Sequence, residues 1–185
     1  LTGQPTPLSP YLSNAEEAVL RQDPAGLTFC TQGVLARLRA MEETDFAHLP
    51  DCGEGLDHRL FAAVQESSSL DDLYDRVKTK RYTHARIRRM VLWAFLGLKQ
   101  EDRPETPPYL RVLGFSSRGQ ELLRQMKRTA SRPVLVKPAH AAKLPLKEQR
   151  LFALEARCTS LYDLCRTKFG QAPGKNEYRQ TPVRL

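Results

Sequence analysis

Hydrophobic residues recur at helical spacing along most of the chain, and this pattern predicts a mainly α-helical protein. The clearest case lies between residues 83 and 98, where apolar side chains return every three or four positions and form one stripe. Its buried face is predicted at Ile87, Val91 and Phe95, and Thr83 can cap its start. The same pattern predicts helices over residues 14–22, 31–43, 54–66, 69–77 and 146–169.

The pattern changes after the proline-rich segment 101–108. The runs YLRVLGF at 109–115 and PVLVK at 133–137 are typical of short strands, and the residues between them have helical spacing after Ser116. In that helix Leu122, Leu123 and Met126 are expected to face inward. A strand, a helix and a strand with short connections predict a parallel strand pair with a right-handed crossover.

These elements predict a mainly α fold with a small parallel β-α-β unit, in which a helical subdomain is followed by an α/β subdomain. The prolines near Pro104 mark the boundary between the two. We expect residues 1–53 to form a linker and peripheral helices, and residues 54–103 to form a basic helical subdomain. Residues 104–185 are expected to hold the β-α-β unit, a long C-terminal helix and a polar tail.

Composition narrows the class of protein. The chain has 185 residues, of which 41% are hydrophobic and 27% charged, and this excludes wholesale disorder. The longest apolar run, at 91–98, is far shorter than the roughly 20 residues of a membrane span. The N-terminus lacks both a signal sequence and an initiator Met, so we expect an excised chain.

The cysteines indicate the redox state of the cellular compartment. They form no C-x-x-C pair, and a chain of this length has core enough without disulfides. They are therefore expected to be ordinary thiols in a reducing, cytoplasmic protein that contacts no membrane. The residues in question are Cys30, Cys52, Cys158 and Cys165.

Charge is unevenly distributed along the chain. Residues 1–75 carry 4 basic and 13 acidic side chains, whereas residues 76–185 carry 25 basic and 8 acidic ones, which together give the net charge of +8. Such asymmetry indicates a polyanionic partner for the basic part, and nucleic acid is the commonest one. The alternative is a solvated basic surface that binds nothing.

The densest basic cluster surrounds the predicted helix start at residue 83. Cations there oppose the helix dipole, and a bound phosphate would compensate them. Thr83 and the backbone N–H groups can add to a phosphate cradle, and Tyr82 can stack on a base. The alternative is a solvated face paired with upstream Asp71, Asp72 and Asp75. The cluster comprises Lys78, Lys80, Arg81, Arg86, Arg88 and Arg89.

Basic residues of the β-α-β unit are weaker candidates. Arg118 and Lys137 lie near predicted strand ends and are candidate ligand contacts. By contrast, the cations late in the predicted helix (Arg124, Lys127 and Arg128) are favoured there by the dipole alone. The sequence contains no standard catalytic motif and no metal-ligand spacing, so it predicts neither catalytic residues nor a metal site.

Several of these segments resemble one family. The run KTKRYTHARIRRMVL at 78–92, preceded by EGLDHRL at 54–60, resembles the C-terminal region of the bacterial tRNA(Met) cytidine acetate ligases. The segments YLRVLGFSSRGQELL at 109–123, LEARCTSLYDL at 154–164 and EYRQTPV at 177–183 are similar to successive blocks of that region. The resemblance covers residues 54–183 well and residues 1–53 only weakly.

The resemblance implies an enzyme of tRNA modification. Such ligases activate acetate with ATP, possibly with Mg, to acetyl-adenylate and transfer the acetyl group to N4 of the wobble cytidine of elongator tRNA(Met). The family's ATP site lies in an N-terminal HIGH-type nucleotidyltransferase domain with an H-x-G-H motif, which this sequence lacks. We therefore expect a C-terminal half that is inactive alone, holds no cofactor itself and has the missing domain as a partner.

For this chain the resemblance leaves tRNA recognition as the expected role. Lys78, Lys80, Arg81, Arg86 and Arg89 match the family block and are the expected phosphate contacts, while Tyr82 and Thr83 position the loop. Lys80 or Arg81 reaching the adenylate phosphates is an alternative role. Two other classes stay open, a free-standing RNA-binding module and a structural domain without catalysis.

Overall fold

A computed structural model describes residues 25–166 and 176–184, and this part of the chain is mostly helical. The mainly α class predicted from the sequence is thereby confirmed, while the predicted helix at 14–22 lies outside the described residues. No helix in the described ranges is long and apolar enough to cross a membrane. The α-helices are α1 (Thr31–Arg39), α2 (Glu43–Ala47), α3 (Leu56–Glu66), α4 (Leu70–Val77), α5 (His84–Leu96), α6 (Ser117–Thr129) and α7 (Leu146–Tyr162).

Within the described residues, four short strands form two parallel pairs. The strand β1 (Leu110–Arg111) pairs with β3 (Val134–Leu135), and α6 lies between them in sequence, so the predicted parallel strand pair is present. The strand β2 (Gly114–Phe115) pairs in parallel with β4 (Val183–Arg184). This second pair brings the end of the predicted polar tail back onto the α/β part.

One hydrophobic core is built by the first five helices. The predicted face of α5 is buried, with Ile87 and Val91 fully inaccessible and Phe95 4% exposed. Leu60 of α3 is equally inaccessible. Residues before 54 also contribute to this core, since Leu38 of α1 belongs to the same cluster. The three-part division of the chain stays a prediction.

A smaller cluster lies in the α/β part. It contains Tyr109, Leu135 and Phe152, and the ring of Tyr178 packs edge-on against Phe152 with centroids 5.7 Å apart. An ion pair between Arg111 and the buried Glu177 ties the C-terminal segment to β1. Contacts from residues 176–184 therefore complete this cluster.

The inward face predicted for α6 is wrong. None of its residues is buried, and Leu122 is 55% exposed. The helix begins at the Ser116 cap as expected, because the Ser116 hydroxyl accepts a hydrogen bond from the Gly119 N–H at 3.2 Å. Helical periodicity produces an apolar face whether or not another element covers it, and no described element buries this one.

Arginines close the C-terminal ends of several helices. Arg39 donates to the Ser67 carbonyl at 2.7 Å after α3, and Arg59 donates to the Arg76 carbonyl at 2.6 Å and the Val77 carbonyl at 2.9 Å in α4. Arg157 donates to the Gly97 carbonyl after α5 at 3.4 Å. The last carbonyls of a helix have no partner inside it and favour cations, so these arginines stabilise the helix ends.

The cysteines are free thiols in the described part of the chain, as the sequence predicts. Cys165 lies in the 3-10 turn Asp163–Cys165, beyond the end of α7. Burial raises the pKa of Cys52 and of Cys165 to about 11. Both are therefore protonated and poorly nucleophilic at neutral pH.

Candidate nucleic-acid interface

The start of α5 is held in place by two threonines. Thr83 caps the helix, and its hydroxyl oxygen accepts the Arg86 N–H at 3.3 Å. Before it, the Thr79 hydroxyl oxygen accepts the N–H groups of Arg81 at 3.2 Å and Tyr82 at 3.0 Å. The basic segment between α4 and α5 is therefore an ordered turn.

Tyr82 is part of the core rather than the surface. Its side chain is 6% exposed, and its hydroxyl donates to the backbone carbonyl of Glu54. The guanidinium of Arg86 lies 5.7 Å from its ring centroid. The buried ring is not available to stack on a base, which corrects that suggestion, and the positioning role of Tyr82 stays a prediction.

Two carboxylates from the loop between α2 and α3 face the cations at the start of α5. Glu54 accepts from Arg81 at 3.1 Å and from Arg86 at 3.3 Å. The hydrogen bond from Arg81, and then that from Arg86, lowers the pKa of Glu54 below its ordinary value. Asp51 lies 3.8 Å from Arg89, and its carbonyl accepts from Arg86 at 3.0 Å.

The loop that supplies these carboxylates has an uncommon backbone. Asp51 has φ 55°, Glu54 φ 64° and Gly55 φ 81°, all in the left-handed region that non-glycine residues rarely adopt. This backbone directs both carboxylates toward the α5 start. Sequence reasoning missed them, although Gly53 and Gly55 around Glu54 indicate a tight turn.

The acidic partners suggested as an alternative lie elsewhere. Asp72 accepts from Arg76 at 2.7 Å and from the Ser68 N–H at 3.1 Å, within its own helix and cap. Ion pairs are recorded neither for Asp71 nor for Asp75 among the described residues. The negative charges that pair with the basic cluster thus come from the loop before α3 and not from α4.

The other basic residues of the cluster are exposed. The Lys78 ammonium donates to the Thr79 carbonyl at 2.7 Å, and Arg88 lies 5.4 Å from the ring centroid of Tyr74. Lys80 has no ion-pair partner within residues 25–166 and 176–184. The structure therefore gathers the six predicted cations around one helix start, where two carboxylates contact three of them.

Arg118 and Lys137 lie in the α/β part. Arg118 is exposed in the first turn of α6, and Lys137 directly precedes the 3-10 turn Pro138–Lys143. Among the described contacts, none joins either residue to the α5 start. Their role in binding stays a prediction separate from that of the helix start.

Comparison with known proteins places the chain in a family. The model of the HIGH Nucleotidyl Transferase family matches residues 7–177, which is most of the chain. The chain belongs to the HIGH nucleotidyltransferase family. The expectation that it comprises only a C-terminal part without the HIGH nucleotidyltransferase domain is therefore wrong, and the expected missing partner domain loses its support.

Relatives of this HIGH nucleotidyltransferase chain are named tRNA(Met) cytidine acetate ligase. One from Fervidobacterium nodosum is 38% identical over 106 residues, covering 55% of this chain and 25% of the relative. One from Alkaliphilus metalliredigens is 29% identical over 154 residues, covering 80% of this chain and 36% of the relative. The chain thus spans about a quarter to a third of these curated relatives.

Solved structures show the same fold. Thermotoga maritima TmcAL in its apo form matches with a TM-score of 0.78 and 25% identity, over 86% of this chain and 41% of that protein. TmcAL bound with alpha-thio ATP matches with a TM-score of 0.78 and 27% identity, over 88% of this chain and 42% of that protein. The described residues therefore have a TmcAL-like fold.

At the start of α5 in this HIGH nucleotidyltransferase chain, contact of Lys80 or Arg81 with the adenylate phosphates stays a prediction. Arg81 and Lys80 are exposed there, and Glu54 already occupies the guanidinium of Arg81. The sequence has no H-x-G-H motif and no glycine-rich phosphate loop. In the described ranges there is also no cluster of three or more potential metal ligands.

Proposed function

We propose that this chain binds tRNA for the ATP-dependent acetylation of a cytidine in tRNA(Met), with the α5 start as the phosphate-binding surface. The observation that carries the proposal is the gathering of six cations around one helix start that only two carboxylates contact. The names of its relatives supply the substrate class. The activity named for these longer relatives is proposed, not observed, for this chain.

Electrostatics explain why a phosphate suits this place. A helix N-terminus favours anions, and guanidinium groups donate paired hydrogen bonds to phosphate oxygens. Without RNA, the Glu54 carboxylate is the anion that accepts these hydrogen bonds from Arg81 and Arg86. An RNA phosphate that replaces the carboxylate keeps both guanidiniums paired, and the exposed Lys80 in the same turn is available to a neighbouring phosphate.

The finer substrate follows the resemblance. We propose the wobble cytidine of elongator tRNA(Met) as the acetylated nucleotide, with its N4 amine taking the acetyl group from acetyl-adenylate formed from acetate and ATP. Tyr82 and Thr83 position the basic turn, and Arg118 and Lys137 are secondary contact candidates. Cytoplasmic location and any need for Mg belong to the same proposal.

A filter-binding titration tests the proposal. The chain is titrated against elongator tRNA(Met) and an unrelated tRNA at several salt concentrations. We expect affinity to fall steeply with salt, because each phosphate contact releases counterions, and we expect the elongator to bind more tightly. Absence of binding at low salt would overturn the proposal.

Variants locate the surface. Arg81→Ala and Arg86→Ala are expected to weaken tRNA binding while the chain stays helical. Arg124→Ala is the matched control, since Arg124 is an exposed arginine on α6. Equal affinity loss in the control would indicate a nonspecific basic surface. Equal affinity for both tRNAs, with loss only at Arg81 and Arg86, would favour the second candidate, a general RNA-binding module.

A further inference from the structure

A groove separates the proline-rich segment 103–108 from α7. Its volume is about 1010 Å³, at the upper end of the range for ligand sites. Leu151 and Leu154 of α7 are half-buried and line the groove together with Pro104 and Pro108, and these four residues are called its apolar floor. Apolar side chains of this kind can contact the face of a planar group.

Cations line the groove from three separate parts of the chain. Arg103 and Arg132 come from loops, and Lys147 and Arg150 come from the first turns of α7. Lys147 and Arg150 are exposed and have no ion-pair partner in the described part of the chain. They are therefore available to an anionic ligand.

The carboxylates of the groove differ in exposure. Asp102 accepts the Lys99 N–H at 2.9 Å, and one carboxylate oxygen of Glu148 is shielded from solvent. Glu101 and Glu105 remain exposed at the edge. A ligand that suits this lining carries negative charge together with hydrogen-bond donors.

Asp51 links the groove to the basic cluster at the α5 start. Asp51 lies 3.8 Å from Arg89 of α5 and 3.8 Å from Arg103 of the groove. One carboxylate thus joins the two surfaces. A molecule that binds both surfaces would pass Asp51 and Arg103.

We propose that the groove binds a short unpaired segment of the same tRNA whose phosphates contact the α5 start. The inference rests on the proposed function. Unpaired RNA presents splayed bases, whose faces fit an apolar floor and whose amino groups donate to carboxylates. Its phosphates match Arg132, Lys147 and Arg150. Duplex RNA buries its base faces by stacking, so it gains little from the floor.

Fluorescence anisotropy of two labelled RNAs tests this inference with the full chain. The probes are a short single-stranded oligonucleotide of mixed sequence and an RNA duplex of equal length. Lys147→Ala combined with Arg150→Ala is expected to weaken single-strand binding about fivefold to tenfold and duplex binding less than twofold. For single strands the salt slope falls by about 0.7 per lost phosphate contact.

Controls separate the two proposals. Arg81→Ala should weaken tRNA and duplex binding more than oligonucleotide binding. Arg124→Ala should leave the binding of all three RNAs unchanged. Arg132→Ala is an independent groove variant with the same expected preference as the double variant. If tRNA binds and Arg81→Ala weakens it, but groove variants bind the oligonucleotide like the parent, only the groove inference is overturned. If the parent binds none of these RNAs, both proposals are overturned.

Discussion

Arginines at the two ends of helices play different parts in this molecule. At the C-terminal ends, Arg39 and Arg59 each donate two hydrogen bonds to backbone carbonyls of another segment. At the start of α5, Arg81 and Arg86 lie at the end of the helix dipole that repels cations, and the exposed carboxylate of Glu54 pairs with both. The first group of arginines stabilises helix ends, whereas the second group lies at the surface where the helix dipole is unfavourable for a cation.

The difference separates structural from functional charge. An arginine that serves as the donor for carbonyls at a helix end is tied to the fold, because a ligand that displaced it would leave those carbonyls without a hydrogen bond. A cation held by an exposed carboxylate can exchange that partner for a phosphate without losing a hydrogen bond. Position relative to the helix dipole therefore distinguishes two sets of arginines that look alike in the sequence.

The largest effect is expected for removal of a C-terminal cap. Arg59→Met keeps the aliphatic stem but leaves the Arg76 and Val77 carbonyls without their donor, and hydrogen bonds to charged groups contribute about 1.5–3 kcal/mol. Urea unfolding should show a loss of that size with tRNA affinity retained. Arg124→Met, on the exposed face of α6, is the control. A stability loss no larger than the control's would contradict the structural role.

A smaller effect is expected at Gly97, where Arg157 reaches the end of α5. Gly97 has φ 69°, and a Cβ there would lie 3.4 Å from a terminal nitrogen of Arg37. Gly97→Ala should cost about 1–2 kcal/mol, because left-handed backbone disfavours any side chain. Gly53→Ala, with open space around its Cβ position, should unfold like the parent. Equal unfolding midpoints for the two variants would disprove the cap geometry.

Charge removal at the α5 start should alter binding more than stability. Glu54→Gln leaves Arg81 and Arg86 without their carboxylate, and exposed ion pairs contribute at most about 1 kcal/mol to folding. Because the carboxylate no longer competes with phosphate, tRNA affinity should rise by roughly 2–5-fold. Glu66→Gln removes a carboxylate from Arg76, away from this surface, and serves as control. Weaker tRNA binding by Glu54→Gln would mean that Glu54 positions the arginines.

The smallest effect concerns two histidines in regions of opposite charge. The hydrogen bond to Glu43, followed by the charge of Asp57, raises the pKa of His58, whereas burial, followed by Lys127, lowers the pKa of His140. NMR titration should therefore find His58 above and His140 below the ordinary value of about 6.5. Between the two pKa values His58 is charged and His140 neutral.

The variant Glu43→Gln checks the assignment for His58. It should return the pKa of His58 toward its ordinary value and leave that of His140 unchanged. Since the native pKa of His58 is raised, its stabilising contribution is present at low pH and disappears as pH rises through that pKa. Coincident titration of both histidines in the parent would contradict the charge asymmetry around them.

Helices with a covered apolar face could be predicted from the sequence. The spacing of Ile87, Val91 and Phe95 identified α5 and its buried side, because a continuous stripe needs a core to pack against. The same reasoning failed for Leu122 in α6, since periodicity gives the face but not the element that covers it. The pairing of β2 with β4 was also beyond sequence reasoning, because two-residue strands carry no pattern.

The site was predicted only in part. The cluster from Lys78 to Arg89 is local in sequence, and its placement at a helix start followed from Thr83 as a cap. The positions of its partners Asp51 and Glu54 depend on a left-handed backbone in their loop, and composition does not predict that conformation. Burial of Tyr82 depends on the same loop, since its hydroxyl donates to the Glu54 carbonyl.

The arginine caps also link the helices in a fixed succession. Arg39 of α1 closes α3, and Arg59 of α3 in turn closes α4. Loss of either arginine would leave the end of the next helix without its donor. The turn that carries the basic cluster directly follows α4, so the hydrogen bonds from Arg59 to the end of α4 also hold the base of that turn in place.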